Sequence, residues 1–592
     1  MFRKTFIPLY LITFIGLTYM IFFRSGTKHP DWEPFNENVF KKAKRENKLV
    51  VLHLGANWSH WCHAMEKNTY SNSLIINYLN KNFIVCKEDH DARQDLTSIY
   101  GQYGWPATII FDADGHELAK ESGFINNDRF MNMITQIHNN PTPLPNNSLQ
   151  IDIRTTSDSA KQQSLLLLKN KFLNSLDLKD GGFNFGQKYI DFESFEYAFN
   201  HSSKDTTLHQ WVQNSIINSS SIYDQVWGGV FQYSANNDWK HVQYEKLLSV
   251  QARYIKMYCW YYKRYQDIDA LKKAEGIAAY VDRFLKAKNG LYYNAQDADL
   301  VPGKKATDYF ALEDVERIKQ GIPAVDQYIY TCNNAEIAEA FLILWATNGN
   351  QIYLDKATKC VNILMHKHKL NNSYIHSEAY GTISISLKDN LAVLKTLMLM
   401  YRATGNTTYK SAASQLIREI ATTFNSGNGY LYSFVGSSPL KATYNVSENI
   451  EACRLLNYSS YFFKNSKYKS LSENILKFLT NPALVNTLST EAGILSAAEE
   501  LQHEPTIAAL MLKNENGLKT YYIAASVSFP QFYFNNVIYT NKTVGSDKMK
   551  VFDASDKNFM ILCTSTYCSE PQFTIDTYKK LLYSRLLDDT TQ

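Results

Sequence analysis

An internal repeat in the second half of the chain constrains the fold more than any other feature of the sequence. Four segments share one pattern, an apolar helix that ends in an aromatic-rich turn, a short polar break and a second amphipathic helix; they begin at Ala252, Ala338, Leu391 and Ile450. Tyr353, Tyr409 and Tyr468 occupy equivalent places, 56 and 59 residues apart. Because such a helix pair cannot bury its apolar face alone, the repeat predicts a stacked or ring-closed helical array.

The repeat region, residues 159–512, has room for about six helix pairs. Long inserts rich in glycine and aromatic residues separate the pairs. These inserts favour a closed (α/α)6 toroid over an open solenoid, and they are where a toroid places its ligand-binding loops.

Residues 31–140 show a different pattern, in which strands and helices alternate. The short apolar runs KLVVLHL (48–54), FIVCK (83–87), ATIIF (107–111) and HELAK (116–120) read as strands. Helical spacing is found over 59–80, 91–102 and 127–138. The alternation predicts a small α/β domain with a central sheet, and the stretch NNPTPLPNNS (139–148) opens a linker that we place at 141–158.

The last segment, residues 513–592, changes character again. YYIAASVSF and NVIYT read as strands, and a final helix is expected from Ile575 to Leu587. This pattern predicts a small C-terminal α/β extension. The net charge is only +4 and the chain contains no block of lysine and arginine, so the sequence predicts no nucleic-acid partner.

The N-terminal 28 residues have the composition of a membrane segment. Arg3 and Lys4 precede an uncharged run from Phe6 to Phe23, which Arg24 closes. As a helix this run is about 27 Å long, just enough to cross a hydrocarbon core. We therefore expect a membrane anchor or uncleaved signal, with the bulk of the chain periplasmic or extracellular, and secreted if the N-terminus is cleaved; the alternative is a buried core helix.

The stretch ANWSHWCHAM (56–65) places a cysteine, Cys62, one turn into a helix that follows a strand. The partial positive charge at a helix N-terminus predicts a lowered pKa for this thiol, and His60 and His63 could add charge or transfer protons. A second cysteine three residues earlier would complete a dithiol, but that position is Ser59. Three ligands within four residues converge poorly on a metal, so we predict no metal here, and no cofactor elsewhere.

Several motifs together resemble the spermatogenesis-associated protein 20 family. In the N-terminal domain they are ANWSHWCHAME, NYLNKNFIVCKEDHDARQDLTSIY and GWPATIIFDADG. Further along they are GGFNFGQKY (181–189), YDQVWGGVFQYSANNDWKHVQYEKLL (223–248), YYNAQDAD (292–299), KDNLAVL (388–394) and MILCTSTYCSEP (560–571). The resemblance extends from about residue 31 to near the end of the chain. It implies a thioredoxin-like domain joined to an (α/α)6 domain like those of six-hairpin glycosidases and N-acylglucosamine 2-epimerases.

The departures from the family pattern bear on chemistry. Ser59 stands where the family has the attacking cysteine, so Cys62 has no local partner with which to complete a disulfide cycle. In the thioredoxin-like fold Trp61 would flank this thiol, and a cis Pro106 would face it. Gln225 and Gln243 stand where the family has histidines. Because glutamine accepts no proton near pH 7, sugar binding survives this change better than isomerisation does, unless the nearby His241 compensates.

The inserts between helix pairs supply the candidate ligand site. Asp224, Glu245 and Asp297 are candidate acid and base carboxylates, since a glycan-processing site needs two carboxyl groups on opposite sides of a sugar. The candidate ligand-binding residues are Trp227, Trp239, Lys246, Asp299 and Asp389. The alternative is structural: Asp224 and Glu245 would cap helices or pair with Lys246 and Arg253.

Three functions remain open from the sequence. The first is an anchored thioredoxin-like protein with one thiol, weak or absent dithiol activity and a toroid that binds a carbohydrate or related metabolite. The second is a glycan-processing enzyme, a glycoside hydrolase or a sugar epimerase. The third is a non-catalytic interaction protein. The sequence names no protein partner, and it leaves open whether Cys563 and Cys568 are bridged.

Overall fold

The computed structural model describes residues 29–145, 151–378, 384–512, 534–540, 559–563 and 568–588. The chain divides into two compact units. The first comprises Met1–His90 and Gln102–Asn146, and the second comprises Asp91–Gly101 and Asn147–Gln592. The segment Asp91–Gly101 is therefore part of the second unit, although strands of the first unit flank it in sequence.

The first unit contains a four-stranded sheet with helices around it. In chain order its elements are α1 (Asn38–Glu46), β1 (Leu49–Gly55), α2 (His60–Asn68), α3 (Ser73–Asn82), β2 (Phe83–Asp89), β3 (Ala107–Phe111), β4 (Glu117–Ser122) and α5 (Asn127–Asn139), while α4 (Gln94–Tyr100) lies in the second unit. The strand order is β2-β1-β3-β4. Strand β1 pairs parallel with β2 and antiparallel with β3, so this is the predicted thioredoxin-like α/β unit.

Strand β1 lies at the centre of this sheet and is buried on both faces. Its residues from Val50 to Gly55 are all buried, as expected of a continuous apolar run in a central strand. His53 is the polar exception, with no exposed surface.

The helical stretch predicted over 59–80 is two helices rather than one. Helix α2 ends at Asn68, and the side chain of Asn72 accepts hydrogen bonds from the backbone N–H groups of Leu74 and Ile75. An asparagine in this position caps a new helix, so the break has a local cause that apolar periodicity alone does not reveal.

In the described part of the second unit, twelve helices between residues 158 and 502 alternate between an outer and an inner position. In chain order these are α6 (Asp158–Ser175), α7 (Phe192–His201), α8 (Thr206–Asn218), α9 (Leu248–Tyr265), α10 (Ile268–Tyr280), α11 (Thr331–Asn348), α12 (Gln351–Ile363), α13 (Leu387–Thr404), α14 (Thr407–Thr423), α15 (Val446–Phe462), α16 (Ser466–Leu479) and α17 (Ala492–Gln502). Three shorter helices span Thr307–Phe310, Asp314–Gln320 and Pro482–Thr487.

The odd-numbered helices α7 to α17 form a closed inner ring. Each contacts the next, and α17 returns to contact α7. Each inner helix also packs against the outer helix that follows it, while α17 packs against α6, the first outer helix. The predicted (α/α)6 toroid is therefore confirmed, and the open solenoid is excluded.

Short strands occupy the inserts that precede the inner helices. They are β5 (Gln187–Lys188), β6 (Tyr233–Ala235), β7 (His241–Gln243), β8 (Lys246–Leu247), β9 (Ala295–Gln296), β10 (Val325–Asp326), β11 (Lys369–Leu370), β12 (Ser373–Tyr374), β13 (Ser384–Ser386) and β14 (Phe434–Gly436). Strand β8 runs directly into α9 and β13 into α13. The inserts therefore lie at the N-terminal end of the inner helices.

The described residues of the C-terminal region form a small sheet followed by a helix, and the central strand of this sheet precedes the predicted boundary at residue 513. Its strands β15 (Thr506–Leu512), β16 (Phe534–Thr540) and β17 (Phe559–Cys563) have the order β16-β15-β17, and α18 spans Ile575–Asp588. A disulfide joins Cys563 to Cys568. The strand expected at YYIAASVSF lies outside the described residues.

The predicted N-terminal membrane anchor is not supported. Its residues 1–28 lie outside the described part of the chain, in which no helix is both long and apolar enough to cross a bilayer. The anchored, extracytoplasmic localisation predicted from this segment is therefore corrected. The physical reason is that an 18-residue run barely reaches the thickness of a hydrocarbon core, so its composition specifies a span only weakly.

Candidate functional site

The thiol of Cys62 is buried at the start of α2. Ser59 is the N-cap of this helix, and its hydroxyl accepts a 3.4 Å hydrogen bond from the backbone N–H of Cys62. The backbone N–H of Ala56 donates to the sulfur at 3.3 Å. Cys62 is 2% exposed, so Ser59 replaces the missing sulfur with a helix cap rather than with a second reactive group.

Burial raises the pKa of the Cys62 thiol to about 12, although hydrogen bonds from Ser59 and Ala56 favour the thiolate. This direction is the reverse of the one predicted from the helix N-terminus. A helix dipole contributes about 0.3–1 kcal/mol, whereas desolvation of a buried group can shift a pKa by several units. Cys62 is therefore protonated at neutral pH.

The other residues of this loop differ in exposure. Trp61 is 41% exposed, whereas His60 and His63 are half-buried. The Trp105–Pro106 peptide bond is cis, as expected for Pro106 of a thioredoxin-like fold.

A buried histidine accompanies the thiol, and no motif in the sequence pointed to it. Neither ring nitrogen of His53 has a hydrogen-bond partner among the described residues. A Cβ atom built on Gly55 would lie 3.1 Å from His53 Nε2 and 3.5 Å from Cys62 Sγ, so the two side chains border the same small space. Burial, with a smaller effect from Lys87, lowers the pKa of His53 to about 4, and the imidazole is neutral.

In the second unit, Asp224 lies in a buried ion-pair triad. Its Oδ2 lies 2.7 Å from both Lys246 Nζ and Arg317 Nη1, and Oδ1 accepts hydrogen bonds from the backbone of Val226 and Trp227. Burial opposes ionisation of Asp224, but the two cations outweigh it and hold its pKa below the usual value. The structure thus places Asp224 and Lys246 as partners of each other.

The remaining predicted residues are buried in the inserts. Asp297 accepts from the backbone of Asp299, and Asp299 accepts from that of Gly303, so both carboxylates shape one loop. Glu245 is also buried. Trp227 donates to Asp314 at 2.6 Å. The catalytic and ligand-binding roles of these residues stay predictions.

The two glutamines that stand where the family has histidines, Gln243 and Gln225, differ in exposure. Gln243 is buried and its side chain donates to the backbone carbonyl of His241. His241 is exposed and pairs with Asp238 at 2.8 Å, and Gln225 is exposed. Trp239 is buried, and its indole N–H donates to the carbonyl of Asp180 at 2.7 Å.

The inner ring carries a set of charged side chains that sequence reasoning missed, apart from Arg253, which it named as an ion-pair partner. They lie at the N-cap or within the first two turns of the six inner helices, and we call them the mouth layer: Asp191, Glu193, Arg253, Glu336, Lys388, Glu448 and Glu491. Carboxylates on α7, α11 and α15 all act on Arg253 and, despite its burial, raise its pKa. Interactions between opposite helices require these side chains to face the ring interior.

Space remains inside the mouth layer. The side chain of Arg253 retains 42% of its exposure although helices surround it. Its Nε lies 3.9 Å from Glu336 Oε2, and neither that oxygen nor Oε2 of Glu448 accepts a hydrogen bond from any residue that the structure describes. The ring interior therefore presents carboxyl oxygens and a guanidinium that are not fully used by protein partners.

A second layer lies one or more turns further along the inner helices and is almost entirely paired. We call it the deep layer: Glu196, Lys256, Glu339, Lys395, Glu451, Arg454 and Glu500. Arg454 bridges Glu196 at 2.7 Å and Glu500 at 2.6 Å. Lys256 and Lys395 share Glu339, at 3.1 and 3.4 Å. This network forms the floor of the space above it.

The carboxyl groups of the mouth layer differ in proton affinity. Burial raises the pKa of Glu448 to about 8, and Lys388 only partly opposes this. Burial, with the charges of Asp191 and Glu193, likewise raises the pKa of Glu491 to about 8. Burial acts on Glu193 too, but Arg253, a backbone hydrogen bond and two lysines together outweigh it and lower the pKa of Glu193. Protonated and ionised carboxyl groups therefore coexist in one site at neutral pH.

A sequence signal for these layers exists. Each pair of charges is three residues apart on a helix with many apolar residues: Glu193 and Glu196, Arg253 and Lys256, Glu336 and Glu339, and Glu448 and Glu451. This spacing places both charges on one helix face, one turn apart. When the other faces of such a helix are apolar, the charged face indicates a buried polar site rather than a solvated surface.

The fold and the two sites define a class: a thioredoxin-like unit with one buried active-loop cysteine, joined in sequence to a closed ring of six helix pairs with an ionisable interior. A family model described as Thioredox_DsbH, a protein of unknown function (DUF255), matches residues 19–141. An uncharacterized protein of Caenorhabditis elegans is 27% identical over 49% of this chain and 45% of its own. Spermatogenesis-associated protein 20 of Rattus norvegicus is 26% identical over 46% of this chain and 39% of its own.

These matches confirm the relationship to the spermatogenesis-associated protein 20 family that the motifs predicted. The matched segment spans less than half the length of these curated relatives. Among solved structures, cellobiose 2-epimerase of Spirochaeta thermophila is similar with a TM-score of 0.44 and 14% identity, over 58% of this chain and 98% of that one.

Proposed function

We propose that the space inside the mouth layer binds a small polyhydroxylated molecule, a carbohydrate or a related metabolite. The observation that carries this proposal is the partly exposed Arg253 inside the closed ring, 3.9 Å from Glu336, in a layer where Oε2 of Glu336 and Oε2 of Glu448 accept no hydrogen bond from described residues. Hydroxyl groups donate to carboxylates and accept from a guanidinium, so a sugar satisfies both kinds of group.

The free-energy cost of unpaired polar atoms in the mouth layer favours a ligand-binding role for these side chains over a purely structural one. A buried polar atom without a partner costs about 1–3 kcal/mol, and charged groups cost more. The deep layer avoids this cost by pairing, whereas the mouth layer does not. A site that keeps such groups on the interior face of its helices is organised for a molecule that completes their hydrogen bonds.

The test is binding by the full-length protein. Hexoses, disaccharides, N-acetylhexosamines and sugar phosphates are screened by thermal shift, and binders are then measured by calorimetry. A ligand present at about 100 times its Kd stabilises the folded state by about 2.7 kcal/mol. We expect Glu336→Gln and Arg253→Met to abolish the shift, whereas Glu316→Gln, on an exposed helix, leaves it unchanged. A panel in which no compound binds, or binding that survives both variants, contradicts the proposal.

For the thioredoxin-like unit we propose a monothiol role without dithiol turnover. The support is the buried sulfur of the active loop, Cys62, whose pKa is raised and whose neighbour at the attacking position is Ser59. The full-length protein is expected to be inactive in an insulin-reduction assay. If Ser59→Cys gains activity, only the first sulfur is missing; if the unchanged protein already reduces insulin, the role is wrong.

A second candidate for the ring is a glycan-processing enzyme. Glu448, which holds its proton near neutral pH, and Glu193, which is ionised, are the acid and base forms that such chemistry needs within one site. Glu448→Gln is expected to keep the affinity for the sugar and to lose turnover. If the wild-type protein binds the sugar without converting it, this candidate fails and the binding proposal stands.

A further inference from the structure

His376 makes two close contacts that a neutral imidazole cannot satisfy on its own. Its Nε2 lies 2.6 Å from the backbone carbonyl oxygen of Asp91, which can only accept a hydrogen bond. Its Nδ1 lies 2.9 and 3.1 Å from the two carboxylate oxygens of Asp389. If Nε2 carries the proton, Nδ1 presents a lone pair to a carboxylate, and the contact needs a positive charge between them.

Only two kinds of cation fit that place, a proton or a metal ion. A third potential ligand decides between them. Cys332 Sγ, a nitrogen of His376 and a carboxylate oxygen of Asp389 all lie within 4.8 Å of one another, and the three residues are at most 9% exposed. Thiolate, imidazole and carboxylate are the side-chain ligands of zinc, whereas a proton between His376 and Asp389 would use only two of these three groups.

We propose that Cys332, His376 and Asp389 bind a divalent transition-metal ion of the zinc type. The neighbouring contacts are those of a metal site's outer shell. The Asp91 carbonyl fixes the His376 tautomer, and the backbone N–H of Cys332 donates to Asp389 Oδ1 at 2.8 Å. The ring of Tyr330 stacks on His376 with centroids 4.5 Å apart, which fixes the plane of the imidazole.

The charge balance also agrees with a divalent ion. Thiolate and carboxylate together neutralise two positive charges, and binding releases the Cys332 proton to solvent while the contact from Cys332 Sγ to Asn333 Oδ1 at 3.4 Å is given up. Cys332 and Asp389 belong to the first turns of α11 and α13, next to the mouth layer: Glu336 follows one turn further along α11, and Lys388 precedes Asp389 directly. With three protein ligands, the fourth position of a tetrahedral ion stays open to water or to a ligand hydroxyl.

The test uses tag-free, full-length protein stripped with a chelator and titrated with Co²⁺ and Zn²⁺. We expect one Co²⁺ ion per chain with a thiolate-to-cobalt charge-transfer band, which Zn²⁺ displaces. Cys332→Ser and Asp389→Asn are each expected to weaken binding by about 100-fold or more, since even outer-shell changes cost 10–100-fold. Circular dichroism confirms that the variants fold.

Cys360→Ser is the matched control, because Cys360 is also a buried thiol of the helical unit and donates to a backbone carbonyl. It is expected to bind Co²⁺ as the unchanged protein does. The proposal is overturned if the unchanged protein binds no Co²⁺, if the charge-transfer band survives in Cys332→Ser, or if nitrogen NMR finds both His376 nitrogens protonated in Zn²⁺-saturated protein. The last result would identify the cation as a proton.

Discussion

Replacing Glu448 by glutamine is expected to stabilise the protein at neutral pH. Burial raises the pKa of Glu448 from 4.5 to about 8, so the folded protein holds a proton that the unfolded chain releases. Below pH 4.5 both states are protonated and the group has no effect. As the pH rises toward 8 the unfolded state gains from ionisation, and folding stability is lost.

The size of the effect follows from the shift. Each unit of pKa difference is worth 1.36 kcal/mol, so at pH 7 Glu448 lowers the free energy of unfolding by about 3 kcal/mol, and glutamine removes this loss. The assay is urea denaturation of both proteins from pH 4 to pH 8.5. We expect equal stability near pH 4 and a gap that widens with pH. Equal pH profiles for the two proteins, with Glu316→Gln as the control, would refute the reasoning.

Three further predictions concern other parts of the structure. Asp224→Asn leaves two buried cations without their carboxylate and is expected to lower the free energy of unfolding by about 3–5 kcal/mol in urea denaturation. Glu316→Gln, the control, is expected to change it very little. A loss below about 1 kcal/mol for Asp224→Asn would contradict the triad. Iodoacetamide is expected to modify Cys62 slowly in the native state, with a rate that rises only toward pH 12; a midpoint near pH 8.5 would show an exposed thiol instead. Gly55→Ala places a Cβ 3.1 Å from a fully buried imidazole and is expected to cost about 1–3 kcal/mol in unfolding free energy, whereas Gly101→Ala, with its nearest atom at 3.6 Å, is tolerated; equal stability of the two variants would contradict this.

The repeat made the ring predictable, because equivalent tyrosines at similar intervals report the helix pairs directly. The sheet was predictable for a different reason, since β1 and β3 are short runs that are mostly apolar. The break at Asn72 was not, because it depends on a single side chain that caps a helix. The pKa of Cys62 was not predictable either. The sequence shows the position of Cys62 in its helix, but only the packing shows how completely its sulfur is shielded from water.

The site in the ring was harder to predict than the ring itself. The sequence favours Asp224, Asp297 and Asp299 as site residues because they lie in glycine- and aromatic-rich inserts. In the structure Asp224 lies in a salt bridge, and Asp297 and Asp299 shape one loop. Glu336 and Glu448 lie on helices whose composition suggests plain core packing. Their proximity depends on closing six helix pairs, and sequence separation carries no information about distance across a ring.

The packing of the last inner helix, α17, against the first outer helix, α6, has a consequence for folding during synthesis. The outer helix that starts at Asp158 finds its inner partner only in residues 492–502, more than three hundred positions later. During synthesis on the ribosome, the apolar side of α6 therefore stays exposed until nearly all of the ring has been synthesised. Contacts so distant along the chain form slowly, and exposed surface of this kind is what chaperones hold. A chain truncated before residue 492 is therefore expected to form an open, aggregation-prone helical array rather than a smaller ring.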